Sequence, residues 1–214
     1  GNQVGALLGH YLLTEGKGGD DRAVLASCVS SPMLGAIAGE LGVHYEETLT
    51  GFKWIANRAM ELERMHKLRV VFGYEEALGY TVGDVVRDKD GVSAAMMVAE
   101  LVAWLASEGR TVQDELEAIA RKFGLWVSGQ VNVVRKGTAG PAEIRDMMDR
   151  IRAANPAALG PVRVVGTADF AAGARGLPKS NMIAFDLEGG SRVSARPSGT
   201  EPKAKFDFDV NDRI

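Results

Sequence analysis

Ala23-Val24-Leu25-Ala26-Ser27-Cys28-Val29 runs straight into Ser30-Ser31-Pro32 and then into Met33–Leu41, which stops at Gly42. The first seven residues form a short, nearly continuous apolar run without alternation. That is the pattern of a strand buried on both faces. The next three are a helix start: a hydroxyl to accept a backbone N–H, then a proline whose missing donor is not needed in the first turn. A buried strand feeding a helix is the repeating step of an α/β layer.

The same rhythm extends outward. Upstream, Val4, Leu7, Leu8, Tyr11 and Leu12 recur at helical spacing, and a Gly/Asp-rich turn covers Gly16–Asp21. Downstream, Val43–Glu47 reads as a second strand, Thr48–Gly51 as a turn and Phe52–Met65 as a helix. Leu68–Phe72 is a third strand that runs out into a polar loop, Gly73–Tyr80. Two helices follow, Val92–Ser107 and Thr111–Lys122, the second with Thr111 as N-cap and Asp114 and Glu115 in its early turns. The expected fold is α/β with a mainly parallel mixed sheet. Such sheets bind ligands at the carboxyl ends of their strands, here the loops Ser27–Pro32, Glu47–Lys53 and Gly73–Tyr80.

The rhythm changes after Gly124. Gln130–Val134 reads as a strand and Pro141–Ala154 as a helix, followed by short strands at Val162–Val165, Met182–Leu187 and Arg192–Ala195. In the last strand Ala204, Phe206, Phe208 and Val210 alternate with Lys203, Lys205, Asp207 and Asp209, one apolar face and one polar. This predicts a smaller α+β domain. The expected division is 1–126 and 127–214, with the join near Gly124–Ser128.

Composition sets the bounds. With 214 residues, 46% of them apolar and 25% charged, the chain can bury a core without disulfides or metals. A net charge of −3 lacks the electrostatic footprint of a general nucleic-acid binder. The single cysteine, Cys28, cannot form an internal disulfide and reads as a small buried hydrophobe; no zinc-ligand pattern occurs, and a reducing cytoplasm is the expected compartment. No apolar run reaches the roughly 18 residues of a membrane span, so no membrane partner is expected. Gly1-Asn2-Gln3 leads directly into a helical pattern with no signal peptide, and reads as cut from something longer.

Four stretches carry possible chemistry. Arg196-Pro197-Ser198-Gly199-Thr200-Glu201-Pro202-Lys203 lies between two predicted strands. It offers a guanidinium fork, hydroxyls, an accessible backbone N–H and lysines, all suited to phosphate, and it also suits a plain hairpin turn. Gly73-Tyr74-Glu75-Glu76-Ala77-Leu78-Gly79-Tyr80 puts two carboxylates where sugar hydroxyls can donate to them, or forms a solvated acidic loop. Arg87-Asp88-Lys89-Asp90-Gly91 offers Lys89 as a phosphate contact or proton-transfer group, or is a solvated charge run. Thr50-Gly51-Phe52-Lys53 presents free N–H groups at a helix start, for an anion or for simple capping.

Together, and in their order along the chain, these stretches resemble the α-D-phosphohexomutase superfamily of phosphoglucomutases and phosphomannomutases. RPSGTEPK resembles the phosphate-binding loop of its fourth domain and YEEALG the sugar-binding loop of its third. The branch with ETLTGFKW and EEA-x-GY, which includes phosphopentomutase-like members, is most similar. The resemblance implies a four-domain enzyme of which this chain is domains three and four, the fourth stopping before a final helix. The phosphoserine of the first domain and the Asp-rich magnesium loop of the second have no counterpart here, so no metal ligand is expected in this chain. Mg2+ and a sugar 1,6-bisphosphate intermediate are implied for the whole enzyme, which moves a phosphoryl group between C1 and C6 of a hexose. The expected partners are the phosphosugar and the N-terminal domains of the same polypeptide, and the fragment alone is expected to be inactive. By resemblance, Arg196, Ser198, Gly199, Thr200 and Lys205 hold the non-reacting phosphate. Glu75 and Glu76 lie on the sugar-reading loop, Thr50, Gly51 and Lys53 line the cleft, and Lys89 sits near the transferred phosphoryl as the catalytic candidate. Ala77 stands where many members have serine, which points toward looser or pentose specificity. A non-catalytic phosphosugar-binding module uses the same loops. A nucleotide-binding α/β domain would need a G-x-G-x-x-G or P-loop sequence, and there is none.

Overall fold

The computed structural model describes residues 1–199 and 201–212, which form two compact units, 1–125 and 126–212. In the first unit the order is α1 (Asn2–Thr14), β1 (Arg22–Ser27), α2 (Met33–Glu40), β2 (His44–Thr48), α3 (Phe52–Glu61), β3 (Arg69–Glu75), β4 (Gly79–Val82), α4 (Gly91–Ser107) and α5 (Val112–Phe123). The sheet runs β2-β1-β3-β4, with β1 parallel to β2 and β3, and β4 antiparallel to β3. It is therefore mixed and mainly parallel, as expected. From Ala23 to Ser27 every residue of β1 is buried, which is why it reads as a continuous apolar run. Ala23 and Leu25 on one face pack with Val70 and with Phe52, Ile55 and Leu62 from α3 and the turn after it.

Helix ends follow local chemistry. The Asp90 carboxylate accepts from Val92 N at 3.0 Å and Ser93 N at 3.2 Å at the start of α4. Thr111 and Asp114 form a reciprocal capping box on α5. Three expectations need correction. The helix after Gly51 is α-helical only to Glu61 and then widens into one π-helical turn, Leu62–His66. Pro32 occupies the cap position of α2; Ser31 Oγ accepts from Met33 N at 3.3 Å, while Ser30 turns elsewhere. The Gly73–Tyr80 segment is not a loop: β3 continues to Glu75, and Gly79 pairs back opposite it.

The second unit contains β5 (Leu125–Val134, whose first residue belongs to the first unit), α6 (Gly140–Ala154), β6 (Ala158–Leu159), β7 (Val162–Asp169), β8 (Ile183–Leu187), β9 (Arg192–Pro197) and β10 (Lys203–Asp212). Its sheet is six-stranded in the order β5-β10-β9-β8-β7-β6. Met148 of α6 packs on Ile183, Phe185, Leu187 and Ala195, the core of this unit. The alternation of the last strand is real, but its polar face is not simply solvated. Asp207 and Asp209 are buried at 6% and 3% exposure, whereas Val210 is 53% exposed. Side chains on the neighbouring strands explain this: Gln130 and Arg196 donate to Asp207, and Ser128 donates to Asp209.

Candidate functional site

In the first unit, strand alternation decides where the two adjacent glutamates go. Gly73 and Glu75 share the face of β3 that carries α3. Phe72 and Tyr74 share the other, where they stack with Tyr80 at ring separations of 6.0 to 6.5 Å. Burial raises the Tyr80 hydroxyl pKa. Tyr74 Oη donates to Ser31 O at 3.2 Å, fixing this layer to the loop after β1.

Glu75 is buried at the strand end. Its Oε1 accepts from Gly51 N at 2.5 Å, and its Oε2 lies 3.7 Å from Lys89 Nζ. Gly51 adopts φ 107 immediately before α3, a backbone conformation that favours glycine and is compatible with this N–H bond. Lys89 itself is exposed, with its ammonium 5.9 Å from the centre of the Phe52 ring. The structure therefore brings together Gly51 from the turn before α3, Glu75 from the end of β3 and Lys89 from the segment before α4. Thr50 is half-buried beside them in sequence, and exposed Lys53 lies over Trp54, 5.6 Å from the ring centre.

Glu76 meets a different loop. Its Oε2 accepts from Ser27 Oγ at 3.1 Å and Ser30 Oγ at 3.4 Å, and its N–H donates to Ser30 Oγ at 3.1 Å. Ser27 and Ser30 are themselves 2.7 Å apart and fully buried. The sequence places Ser27 and Ser30 in the Ser27–Pro32 loop at a strand end but does not show that their hydroxyls meet Glu76. The available signal was a pair of hydroxyls at the carboxyl end of a buried strand. At the hairpin tip Ala77 and Leu78 are exposed, and Leu78 sits at φ 60, a left-handed conformation that costs an ordinary residue about 1–2 kcal/mol. Such strain is commonly kept where a turn has work to do.

In the second unit, Arg196 belongs to β9 and is not part of the turn; it stands opposite Lys205 of β10. Arg196 Nε donates to Asp207 Oδ2 at 3.0 Å. The turn beyond is closed by Ser198 N–H donating to Lys203 O at 2.8 Å. Gly199 is exposed and has no heavy atom crowding the position of a side chain. Thr200 lies outside the described residues. Lys203 pairs with Glu201 at 2.6 Å, which holds the Glu201 carboxyl below its usual range.

The sequence of the first unit decides the assignment. Residues 1–123 match the family described as phosphoglucomutase/phosphomannomutase, alpha/beta/alpha domain III. The chain belongs to this family. A relative named "Probable phosphomannomutase" from Haemophilus influenzae is 40% identical over 98% of the chain and 40% of its own length. A human relative named phosphopentomutase is 36% identical over 96% of the chain and 37% of its own length. The chain thus spans about two fifths of the relatives it matches. Among solved structures, pp63/parafusin, a phosphoglucomutase from Paramecium, aligns with a TM-score of 0.68 at 16% identity, covering 99% of this chain and 37% of that one; this likeness concerns the fold. Among the described residues, no group of three or more His, Cys, Asp or Glu side chains is placed to hold a metal ion.

Proposed function

We propose that the chain is the sugar- and phosphate-recognising part of a sugar phosphate mutase that shifts a phosphoryl group between C1 and C6 through a bisphosphorylated intermediate. The observation that carries this reading is the meeting of Glu75, the Gly51 N–H and Lys89 at the carboxyl end of the first sheet, where α/β sheets bind ligands. Glu75 accepts hydrogen bonds from sugar hydroxyls. Lys89 balances charge or moves a proton at the transferred phosphoryl, while Thr50 and Lys53 line the approach. Arg196, Ser198, Gly199, Thr200 and Lys205 hold the phosphate that is not reacting, so one sugar can bind in two orientations. Phosphoryl transfer is largely positioning and electrostatics. The reacting phosphoserine and its metal belong to the part of the polypeptide that this chain does not span. Ala77 at the exposed tip, together with the phosphopentomutase relative, supports pentose phosphates as an alternative substrate class.

The test is calorimetric titration of glucose 1-phosphate and ribose 1-phosphate into the chain and its Arg196→Ala, Arg196→Lys and Lys203→Ala variants. Charge-assisted bonds from a guanidinium fork are worth about 1.5–3 kcal/mol each. Arg196→Ala should therefore weaken binding by at least about tenfold, with no rescue by lysine. Lys203→Ala removes only an ion pair with exposed Glu201 and should cost under about 1 kcal/mol. Equal affinity of wild type and Arg196→Ala would sink the reading.

A further inference from the structure

The polar face of β10 carries a carboxylate whose position is at odds with an anion site. Asp207 lies in the strand beside β9, directly opposite Ser194, so that Arg196 reaches it diagonally. Its side chain is 7% exposed, and that of Arg196 is 14% exposed. The two carboxylate oxygens are divided between two neighbouring strands. Oδ2 accepts from Arg196 Nε at 3.0 Å, and Oδ1 accepts from Gln130 Nε2 of β5 at 2.5 Å. Two residues along, Ser128 Oγ donates to Asp209 Oδ1 at 2.6 Å, so the bracing from β5 is repeated.

A negative charge beside a cation that must bind phosphate lowers anion affinity through Coulomb repulsion. Its presence makes sense if the bond to Nε contributes more by orientation than the charge removes. A guanidinium meets phosphate bidentately, and a bond at Nε fixes the plane in which its terminal nitrogens lie. Holding this long, rotamer-rich side chain before phosphate arrives lowers the ordering cost of binding. We propose that Asp207, braced by Gln130, is a positioning residue that sets the Arg196 guanidinium for phosphate. This rests on the reading of Arg196 as the phosphate anchor.

The two roles of the carboxylate predict opposite signs. If Asp207 is only a nearby charge, Asp207→Asn binds phosphate more tightly. If it positions Arg196, Asp207→Asn binds more weakly, by about tenfold for neighbours coupled this closely. Titration of the chain with inorganic phosphate, followed by NMR at the backbone amides and the Arg196 Nε–Hε resonance, reads both affinity and orientation. Gln130→Ala keeps both charges and removes only the brace, with an expected loss of about threefold. In an Arg196→Ala background, Asp207→Asn should cause no further loss, since the effect passes through the arginine. A merely structural role would not produce that dependence. Unchanged or tighter binding by folded Asp207→Asn overturns the assignment, as does an undiminished loss in the Arg196→Ala background. Should Asp207→Asn fail to fold, Gln130→Ala decides, and an affinity equal to wild type overturns it. Loss in Arg196→Ala with none in Asp207→Asn sinks the positioning role alone; equal phosphate affinity of wild type and Arg196→Ala removes the anchor reading and this one with it.

Discussion

Gly73→Ala tests how tightly the end of β3 is tied to the core. A Cβ at Gly73 would lie 2.7 Å from Ile55 Cγ2, 3.3 Å from Thr81 Cγ2 and 3.7 Å from Leu25 O. Carbon atoms rest at about 3.5–4.0 Å, so the overlap with Ile55 is roughly 1 Å. Ile55 is fully buried, β-branched and stiff, and it packs against Leu25, Phe52 and Leu62. The strand has little freedom to yield, being paired with β1 on one side and β4 on the other. Overpacking of this kind costs about 1–3 kcal/mol. Alanine recovers about 0.5–1 kcal/mol of the entropy penalty of a mid-strand glycine. The net expectation is a loss of about 1–2 kcal/mol, with the overpacking cost exceeding the entropy gain. Urea unfolding followed through Trp54 and Trp104, which lie in the first unit, should show an earlier midpoint. Ile55→Leu removes Cγ2, so the double variant should recover at least about 0.5 kcal/mol relative to the sum of the singles. An unshifted midpoint for Gly73→Ala, or strict additivity in the double variant, would refute the packing argument.

Two further predictions concern groups whose partners are distant in sequence. Hydrogen bonds from Arg58, with help from His44, hold the Glu46 carboxyl below its ordinary 4.5. A depressed folded-state pKa means that this stabilisation is present above the unfolded value and is lost as pH falls through the folded one. Glu46→Gln should therefore narrow the difference in urea midpoint between pH 7 and pH 3; an unchanged difference refutes the linkage. Ser30→Ala removes the acceptor for the Glu76 N–H and a donor to its carboxylate. Loss of buried hydrogen bonds here should cost about 1–3 kcal/mol, and hydrogen exchange at the Glu76 amide should accelerate. Wild-type protection at that amide would count against the tether.

Much of the fold was legible because β1 is buried on both faces and α4 and α5 carry their own caps. Those signals are local, and short windows of sequence contain them whole. Strand β4 was lost because its first two residues, Gly79 and Tyr80, belong to the motif read as a loop. The π-helical turn was lost because apolar periodicity over so few residues does not separate it from a continuing α-helix. Alternation in β10 correctly separated its faces but not their burial. Whether a polar face meets water depends on what lies on the adjoining strand, and Gln130 and Ser128 come from the far edge of the unit's sequence. At the candidate site, Glu75 and Lys89 were legible as residue types, while their separation of 3.7 Å depends on how the end of β3 meets the segment before α4.

Glu75 and Glu76 show why residue type alone underdetermines a site. A peptide bond separates them, yet β3 hands one to the α3 side and the turn hands the other to the loop after β1. Glu75 meets a cation and a backbone N–H; Glu76 accepts from the neutral hydroxyls of Ser27 and Ser30. Replacing either with glutamine leaves size and shape in place and removes a charge. At Glu75 that change acts on an ion pair with exposed Lys89, so its effect on charge should fade with salt. At Glu76 it acts on hydrogen bonds of 3.1 and 3.4 Å from two buried serine hydroxyls, which salt reaches less readily. The same substitution at adjacent positions therefore perturbs two different layers: a charged pair at the strand end, and the brace that holds the turn beyond it.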